Sequence, residues 1–180
     1  MTETGDLGEH APGRAGWRLI EPADLPFLYQ LVTLVDPRWW RFSRHGLEPA
    51  AMLQTVQGIA AGVIVHDDGH RPVAAGLLTD AGASGTGNFE LYALPADDAL
   101  ATARAFAPEL VAAAFAGAPI RRLYHERFAG DPEVLGAVGE LFEIEVTYPA
   151  FAQIDGRYED RTISVLTRER FEQWQIARAS

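Results

Sequence analysis

A glutamate and a tyrosine, two residue types that can move protons, stand two positions apart in the stretch Asn88–Pro95. Successive side chains of an extended segment point to opposite faces, so Glu90 and Tyr92 point to the same side. Pro95 has no N–H to donate and ends the strand. The chain then enters an alanine-rich segment, and the free N–H groups at the start of a helix form a generic anion site. We therefore expect a functional site where this strand meets the helix.

The helix is predicted over Ala99–Ala116, where apolar residues recur at helical spacing. Asp97 and Asp98 precede it and are N-cap candidates, because a carboxylate accepts hydrogen bonds from the first N–H groups of a helix. The strand is predicted over Phe89–Pro95, since alternation gives way to helical spacing at its last residue. We expect it at the centre of a sheet, with Glu90 facing a cleft.

A second candidate is the segment Arg38–Gly46, the densest cluster of aromatic and cationic side chains in the chain. Two interpretations remain open, a loop that faces a ligand and a buried aromatic anchor with solvated arginines. We expect at least one of Trp39, Trp40 and Arg41 to line the cavity, because large flat surfaces and cations suit a ligand better than a turn requires. The substrate-binding candidates in this segment are Trp39, Trp40, Arg41, Arg44 and His45.

Histidines and glutamates elsewhere in the chain are interpreted as structural or solvated. His66 and His70 enclose an acidic turn that looks like a metal site, but a hairpin turn is expected to be polar, and we predict no metal. Glu143 and Glu145 lie on one face of a predicted strand and are interpreted as a solvated edge rather than an acid/base couple. No Gly-x-Ser-x-Gly nucleophile motif is present.

The composition favours one soluble domain. With 180 residues, 48% of them hydrophobic, the chain can bury a sizeable core, and no apolar run reaches the length of a membrane span. The net charge of -10 argues against nucleic acid and an anionic membrane surface as partners. Cysteine is absent, which excludes disulfides and thiolate chemistry, and all 15 basic residues are arginines, as in a GC-rich bacterial gene. We expect a cytoplasmic protein with a disordered leader, residues 1–16, and one domain, residues 17–180.

The order of the predicted elements is a strand, two helices with the second over Pro49–Ala60, a three-strand meander, a helix, a strand, a helix and a terminal hairpin. This order indicates an α+β fold around a mixed, mostly antiparallel sheet flanked by helices. The chain also resembles the GCN5-related N-acetyltransferase family from Trp17 to Trp174, and most closely the branch that acetylates ribosomal-protein N-termini and small amines. The matching pieces are Trp17–Leu25, Phe89–Pro95, Asp155–Asp160 and Ser164–Leu166.

The resemblance implies acetyl-CoA or another acyl-CoA as cosubstrate, bound where the central strand passes into the helix. The positions that correspond to this site are Tyr92, Ala93, Leu94, Ala96, Asp97, Asp98 and Ala99. Family members hold the pyrophosphate with backbone N–H groups of a Gly-rich loop. The corresponding stretch Pro95–Ala101 has no glycine and carries two carboxylates. Like charges repel, so this stretch predicts weak acetyl-CoA binding by that route.

The resemblance also implies direct attack of an amine on a thioester, which needs a base and donors to the thioester oxygen. Glu90 corresponds to the position where the family often places the base, and a solvated charge at the sheet edge is the alternative. His125 is a candidate second base, or a structural histidine. Tyr148 and Tyr158 are candidate acids for the leaving thiolate.

Two classes of function follow. The first is an N-acyltransferase acting on a small amine, and the acidic balance favours a cationic acceptor. In the second, the scaffold has lost CoA binding and holds another small ligand, works as a partner subunit, or does other specialised chemistry in the same cleft. A homodimer is possible in either case.

Overall fold

The computed structural model describes residues 14–35, 59–82, 84–154 and 156–179. They form a seven-stranded sheet in the order β1-β2-β3-β4-β5-β7-β6. The strands are β1 (Gly16–Leu19), β2 (Ile59–His66), β3 (Pro72–Thr79), β4 (Thr86–Ala93), β5 (Arg122–Phe128), β6 (Glu143–Ile154) and β7 (Arg157–Thr167). The helices are α1 (Leu25–Val35), α2 (Asp97–Gly117) and α3 (Arg168–Ala179), with short 3-10 helices at Pro22–Asp24 and Gly136–Leu141.

Neighbouring strands of the sheet are antiparallel except for β4 and β5, which are parallel. The predicted α+β fold with a mixed, mostly antiparallel sheet is therefore confirmed. The central place of the predicted strand is confirmed as well, since β4 is the fourth strand of the sheet. Its bounds differ from the predicted Phe89–Pro95, because β4 begins at Thr86, where it pairs with β5, and ends at Ala93.

The side chains of β4 divide the protein into two cores. Phe89, Leu91 and Ala93 lie in the larger core with residues of α2, whereas Tyr92 packs against the smaller core with residues of α1. This division follows the period-two alternation of a strand. Because Phe171 of α3 also belongs to the larger core, α2 and α3 cover one face of the sheet and α1 covers part of the other.

Small side chains allow α2 to lie close to the sheet. Ala99, Ala103 and Ala107 are at most 2% exposed. A Cβ atom added to Gly76 of β3 would lie 3.3 Å from the Leu110 Cδ1 atom of α2. The length and composition of α2 would also suit a membrane span. Its packing against the sheet identifies it instead as the core helix of the domain.

Two predicted helix boundaries need correction. The helix α2 begins at Asp97, so Asp97 and Asp98 are its first two residues, and Ala96 is the N-cap. The early start is favourable because carboxylates in a first turn interact well with the helix dipole. The second predicted helix, Pro49–Ala60, lies outside the described residues except for its last two positions, which belong to β2.

The strands β4 and β5 separate after a short paired segment. Their parallel register ends at Asn88 and Tyr124. Beyond this point β4 continues to Ala93 along β3, and β5 continues to Phe128 along β7. The space between the two strands beyond Asn88 and Tyr124 is called the β4–β5 gap below. It adjoins the stretch that the sequence indicates as a functional site.

Candidate active site

Backbone groups of β4 point into the β4–β5 gap. The Leu94 N–H donates to the Val73 carbonyl of β3 over 2.9 Å. In an antiparallel ladder every second residue, counted back from Leu94, turns its N–H and C=O groups toward β3. The residues between them turn theirs toward β5. These residues are Phe89, Leu91 and Ala93. A strand edge that faces a gap can bind an extended, amide-containing ligand as if it were another strand.

His125 on β5 reaches across the start of the gap. Its Nδ1 atom lies 3.1 Å from the carbonyl oxygen of Phe89. A carbonyl oxygen only accepts hydrogen bonds, so Nδ1 carries a proton, and Nε2 is the basic nitrogen of the neutral ring. The ring also meets the ring of Phe142 edge-on, with the centroids 5.8 Å apart. His125 can therefore act as a proton acceptor only through Nε2.

Glu90 is a buried carboxylate on the α1 face of β4, opposite to the face that carries Phe89 and Leu91. It is 5% exposed, and its partner in the register on β3 is Leu77 of the smaller core. The Tyr92 hydroxyl donates a hydrogen bond to Glu90 Oε2 over 2.7 Å. The burial excludes the interpretation of Glu90 as a solvated charge at the sheet edge. A carboxylate held in this way, beside a gap, is a candidate general base.

Glu90 and His125 lie on opposite faces of the sheet. Gly87 pairs with Leu123, and Leu123 belongs to the larger core, so the odd-numbered residues of both strands share the α2 face. Asn88 pairs with Tyr124, so Glu90 and Tyr124 share the α1 face. The two predicted bases therefore approach the β4–β5 gap from different sides, and each needs its own role.

Tyr124 is a candidate that the sequence analysis missed. It is the last β5 residue in register with β4, and a side-chain hydrogen bond with Tyr124 raises the pKa of Arg122. Tyr124 is thus the residue at which the β4–β5 gap begins, its side chain shares the face of Glu90, and its phenol is engaged by Arg122. The only sequence signal was its place beside His125, because the register between β4 and β5 is a long-range property.

The two predicted tyrosines lie on the outer strands. Tyr148 is 42% exposed on β6, the edge strand, and Tyr158 is 69% exposed beside the β6–β7 turn. The guanidinium of Arg161 lies 5.7 Å from the Tyr148 ring centroid and 4.8 Å from that of Phe151. Since β7 separates β6 from β5, Tyr148 stands roughly 10 Å from β5.

Beneath these rings lies a buried ion pair. Arg161 Nε and Nη2 donate to the two carboxylate oxygens of Glu126, each over 2.5 Å. The side chains are 14% and 6% exposed, respectively. Glu126 follows Tyr124 on the α1 face of β5, so the pair fixes the β7 side of the sheet next to the β4–β5 gap. The bidentate geometry matches the planar guanidinium to the carboxylate.

The start of α2 differs from a phosphate-binding turn. The N-cap Ala96 offers no side-chain cap, and Asp98 Oδ1 accepts the Ala99 N–H over 2.9 Å. Asp97 and Asp98 are exposed, whereas Ala99 is 2% exposed. An anion that approached this turn would therefore meet two carboxylates and find one of the first N–H donors already engaged.

The remaining predicted site residues fall into two groups. Tyr92, Ala93 and Leu94 continue β4 toward α2, and only Tyr92 and Leu94 of these pack toward the smaller core. The predicted substrate-binding loop with Trp39, Trp40, Arg41, Arg44 and His45 lies outside the described residues. In the part of the chain that the structure describes, no three His, Asp or Glu side chains come together as a metal site.

Several solved structures resemble this chain closely in fold. The spermidine/spermine N-acetyltransferase SpeG from Vibrio cholerae, in complex with manganese ions, superposes with a TM-score of 0.72 at 15% identity, over 89% of this chain and 96% of its own. A SpeG variant gives a TM-score of 0.72 at 15% identity, over 90% and 98%. A protein provisionally named a phosphinothricin N-acetyltransferase gives 0.68 at 16% identity, over 85% and 98%.

Comparisons at the level of sequence add no relative. No protein-family model matches the chain. No curated protein matches it either. The fold is therefore the property that this chain demonstrably shares with the acetyltransferases above.

Proposed function

Because the chain has the fold of the GCN5-related N-acetyltransferases, we propose that it is an N-acyltransferase that moves an acyl group from a thioester to a small amine. The observation that carries this proposal is the β4–β5 gap. Backbone groups of β4 face this gap, and the buried carboxylate of Glu90 lies on the same face of the sheet as Tyr124, the residue at which the gap begins. An acyl transfer needs these groups, namely donors for the carbonyl, a base for the amine and an acid for the leaving group.

The thioester arm fits the edge of β4. The N–H groups of Leu91 and Ala93 face the gap, and the amides of a pantetheine arm can pair with them as a strand would. An N–H group aimed at the thioester oxygen would stabilise the negative charge that develops there during attack. An acyl-CoA is one source of such an arm. Its diphosphate, however, does not fit the acidic start of α2.

The reaction assigned to the site is direct aminolysis. The amine nitrogen attacks the thioester carbonyl carbon, a C–N bond forms and the C–S bond breaks. Glu90 takes the proton of the incoming ammonium group, directly or through a water molecule, and Tyr92 holds the carboxylate in position. We assign protonation of the leaving thiolate to Tyr124, on the same face, and the second proton that the attacking nitrogen loses on becoming an amide restores the Tyr124 phenol. His125 keeps the Phe89 segment of β4 in place through its hydrogen bond across the gap.

The acceptor is a small cationic amine. The net charge of the chain is -10, and an acidic protein attracts a polyamine while it repels anionic competitors. The buried carboxylate of Glu90 and the exposed rings of Tyr148 and Phe151 lie on the α1 side and suit an alkyl-ammonium chain. Two of the similar structures are enzymes named for acetyl transfer to spermidine.

The proposal is tested by measuring thiol release from an acetyl thioester in the presence of a panel of amines. The protein has no cysteine, so a thiol reagent reports only the released thiol. We expect release that depends on a cationic amine, with the acetylated amine found by mass spectrometry. Glu172→Gln, at an exposed position of α3, is the matched control for charge removal. Absence of amine-dependent release with every acceptor, from a folded protein, would refute the proposal.

A further inference from the structure

The start of α2 is the place where the fold brings a helix terminus to the open end of the β4–β5 gap, four residues after Ala93. In this chain the first turn carries Asp97 and Asp98, both exposed. Asp98 turns its carboxylate onto the Ala99 N–H over 2.9 Å. The turn is thus electrostatically negative and partly capped from within, which is the opposite of what a diphosphate requires.

Among the residues that the structure describes, two arginines near this turn, Arg71 and Arg104, do not offset the two carboxylates. Arg71, on the turn between β2 and β3, is paired with Asp67 over 2.6 Å. That hydrogen bond raises the pKa of Arg71, and Asp98 adds a smaller contribution, so Asp98 lies within electrostatic reach. Arg104 lies about 10 Å further along α2 and is held by the carbonyl and carboxylate oxygens of Glu133. Each cation already faces a carboxylate of its own.

The edge of β4 carries no such obstacle. The backbone groups of Leu91 and Ala93 face the gap, and the apolar residues around them belong to the larger core. A neutral pantetheine arm can lie there without approaching Asp97 or Asp98. The two parts of an acyl-CoA therefore meet opposite environments within one site.

We infer that this protein recognises its donor through the acyl-pantetheine arm alone, and that the nucleotide diphosphate of an acyl-CoA adds no affinity. The inference rests on the proposed function, because it concerns the donor of that same reaction. It assigns the donor to the class of neutral acyl-pantetheine thioesters. Removing the two negative charges at the start of α2 should then restore a preference for the nucleotide-bearing form.

The experiment is a calorimetric titration of acetyl-pantetheine and acetyl-CoA into the intact protein and two double variants. Asp97→Asn with Asp98→Asn removes both charges at nearly constant shape. Glu169→Gln with Glu172→Gln removes two exposed charges from α3. Because Phe171 of α3 contacts Phe115 near the far end of α2, this control lies about 25 Å from the helix start.

We expect the unmodified protein to bind both ligands within about threefold of each other. The aspartate variant should bind acetyl-CoA about tenfold more tightly, equivalent to about 1.4 kcal/mol, and acetyl-pantetheine unchanged. The Glu169→Gln, Glu172→Gln variant should bind both ligands with the affinities of the unmodified protein. Raising the salt concentration should strengthen acetyl-CoA binding to the unmodified protein, because salt screens the repulsion.

Two results would overturn the inference, and they are distinguishable. If the unmodified protein binds acetyl-CoA much more tightly than acetyl-pantetheine, and salt weakens that binding, the nucleotide is recognised and the inference is wrong while the proposed function stands. If acetyl-pantetheine does not bind any of the three proteins, the thioester site itself is wrong, and the proposed function falls together with the inference.

Discussion

The pair formed by Glu90 and Tyr92 gives a prediction that separates a catalytic base from a structural carboxylate. Glu90→Gln keeps the shape of the side chain and an oxygen that can accept the Tyr92 hydroxyl, so the fold should persist. It removes the basic group, and general base catalysis contributes about 10² to 10⁴ in rate. We expect kcat/KM to fall by that factor with the thioester KM unchanged.

The expected loss of activity and stability in Tyr92→Phe follows from the hydrogen bond that the Tyr92 hydroxyl donates. The hydroxyl donates over 2.7 Å to a carboxylate that is 5% exposed, and a hydrogen bond to a charged group contributes about 1.5–3 kcal/mol. Part of this acts on stability and part on the alignment of Glu90. We therefore expect kcat to fall by about tenfold, or about 1.4 kcal/mol, and the urea midpoint to fall measurably.

A double-mutant cycle decides whether Tyr92 acts through Glu90. In the Glu90→Gln background, Tyr92→Phe should cost much less than tenfold, because there is no base left to align. The assay is amine-dependent thiol release, measured with urea unfolding of all four proteins, and Glu172→Gln serves as the control. Full activity of Glu90→Gln, or the same tenfold loss in both backgrounds, would refute the assignment of Glu90 as the base.

Two further predictions concern stability. Hydrogen bonds from Arg18 lower the pKa of Asp24, so the ionised form stabilises the fold above the unfolded pKa of about 4, and this contribution is lost as pH falls through the lower folded value. Asp24→Asn should therefore be less stable at pH 7. In a plot of the urea midpoint against pH, the fall at acid pH, called the acid limb, should be less steep for this variant. An unchanged acid limb would contradict this. Arg161→Met should cost about 3–5 kcal/mol because it leaves the carboxylate of Glu126 buried without its partner, and adding Glu126→Gln should recover most of that loss by urea unfolding. Equal stability of the single and double variants would contradict the ion-pair argument.

Local sequence patterns predicted the part of the fold that depends on neighbours in the chain. The alternation in β4 and the helical spacing of α2 meet at Pro95, so both elements and their order were identified correctly. The start of α2 was misplaced by two residues, because acidic residues suit both an N-cap and a first turn. The pattern could not distinguish the two positions.

The site itself depends on long-range pairing. That β4 leaves β5 after Asn88, and that Tyr124 stands at that point, follows from a register between strands more than 30 residues apart. The ion pair of Glu126 and Arg161 likewise joins residues 35 positions apart through the order β5-β7-β6. No local pattern encodes these contacts, whereas the burial of Glu90 follows once β4 is central.

The central claim is that a thioester arm lies along the edge of β4, and amide chemical shifts test it most directly. At 19.6 kDa, the ¹⁵N-labelled protein is suited to a titration with acetyl-pantetheine followed by NMR. We expect the largest amide shifts at Leu91 and Ala93, with the amides of Asp97–Ala99 little changed. Shifts confined to the start of α2, or none in β4 at saturation, would contradict the account.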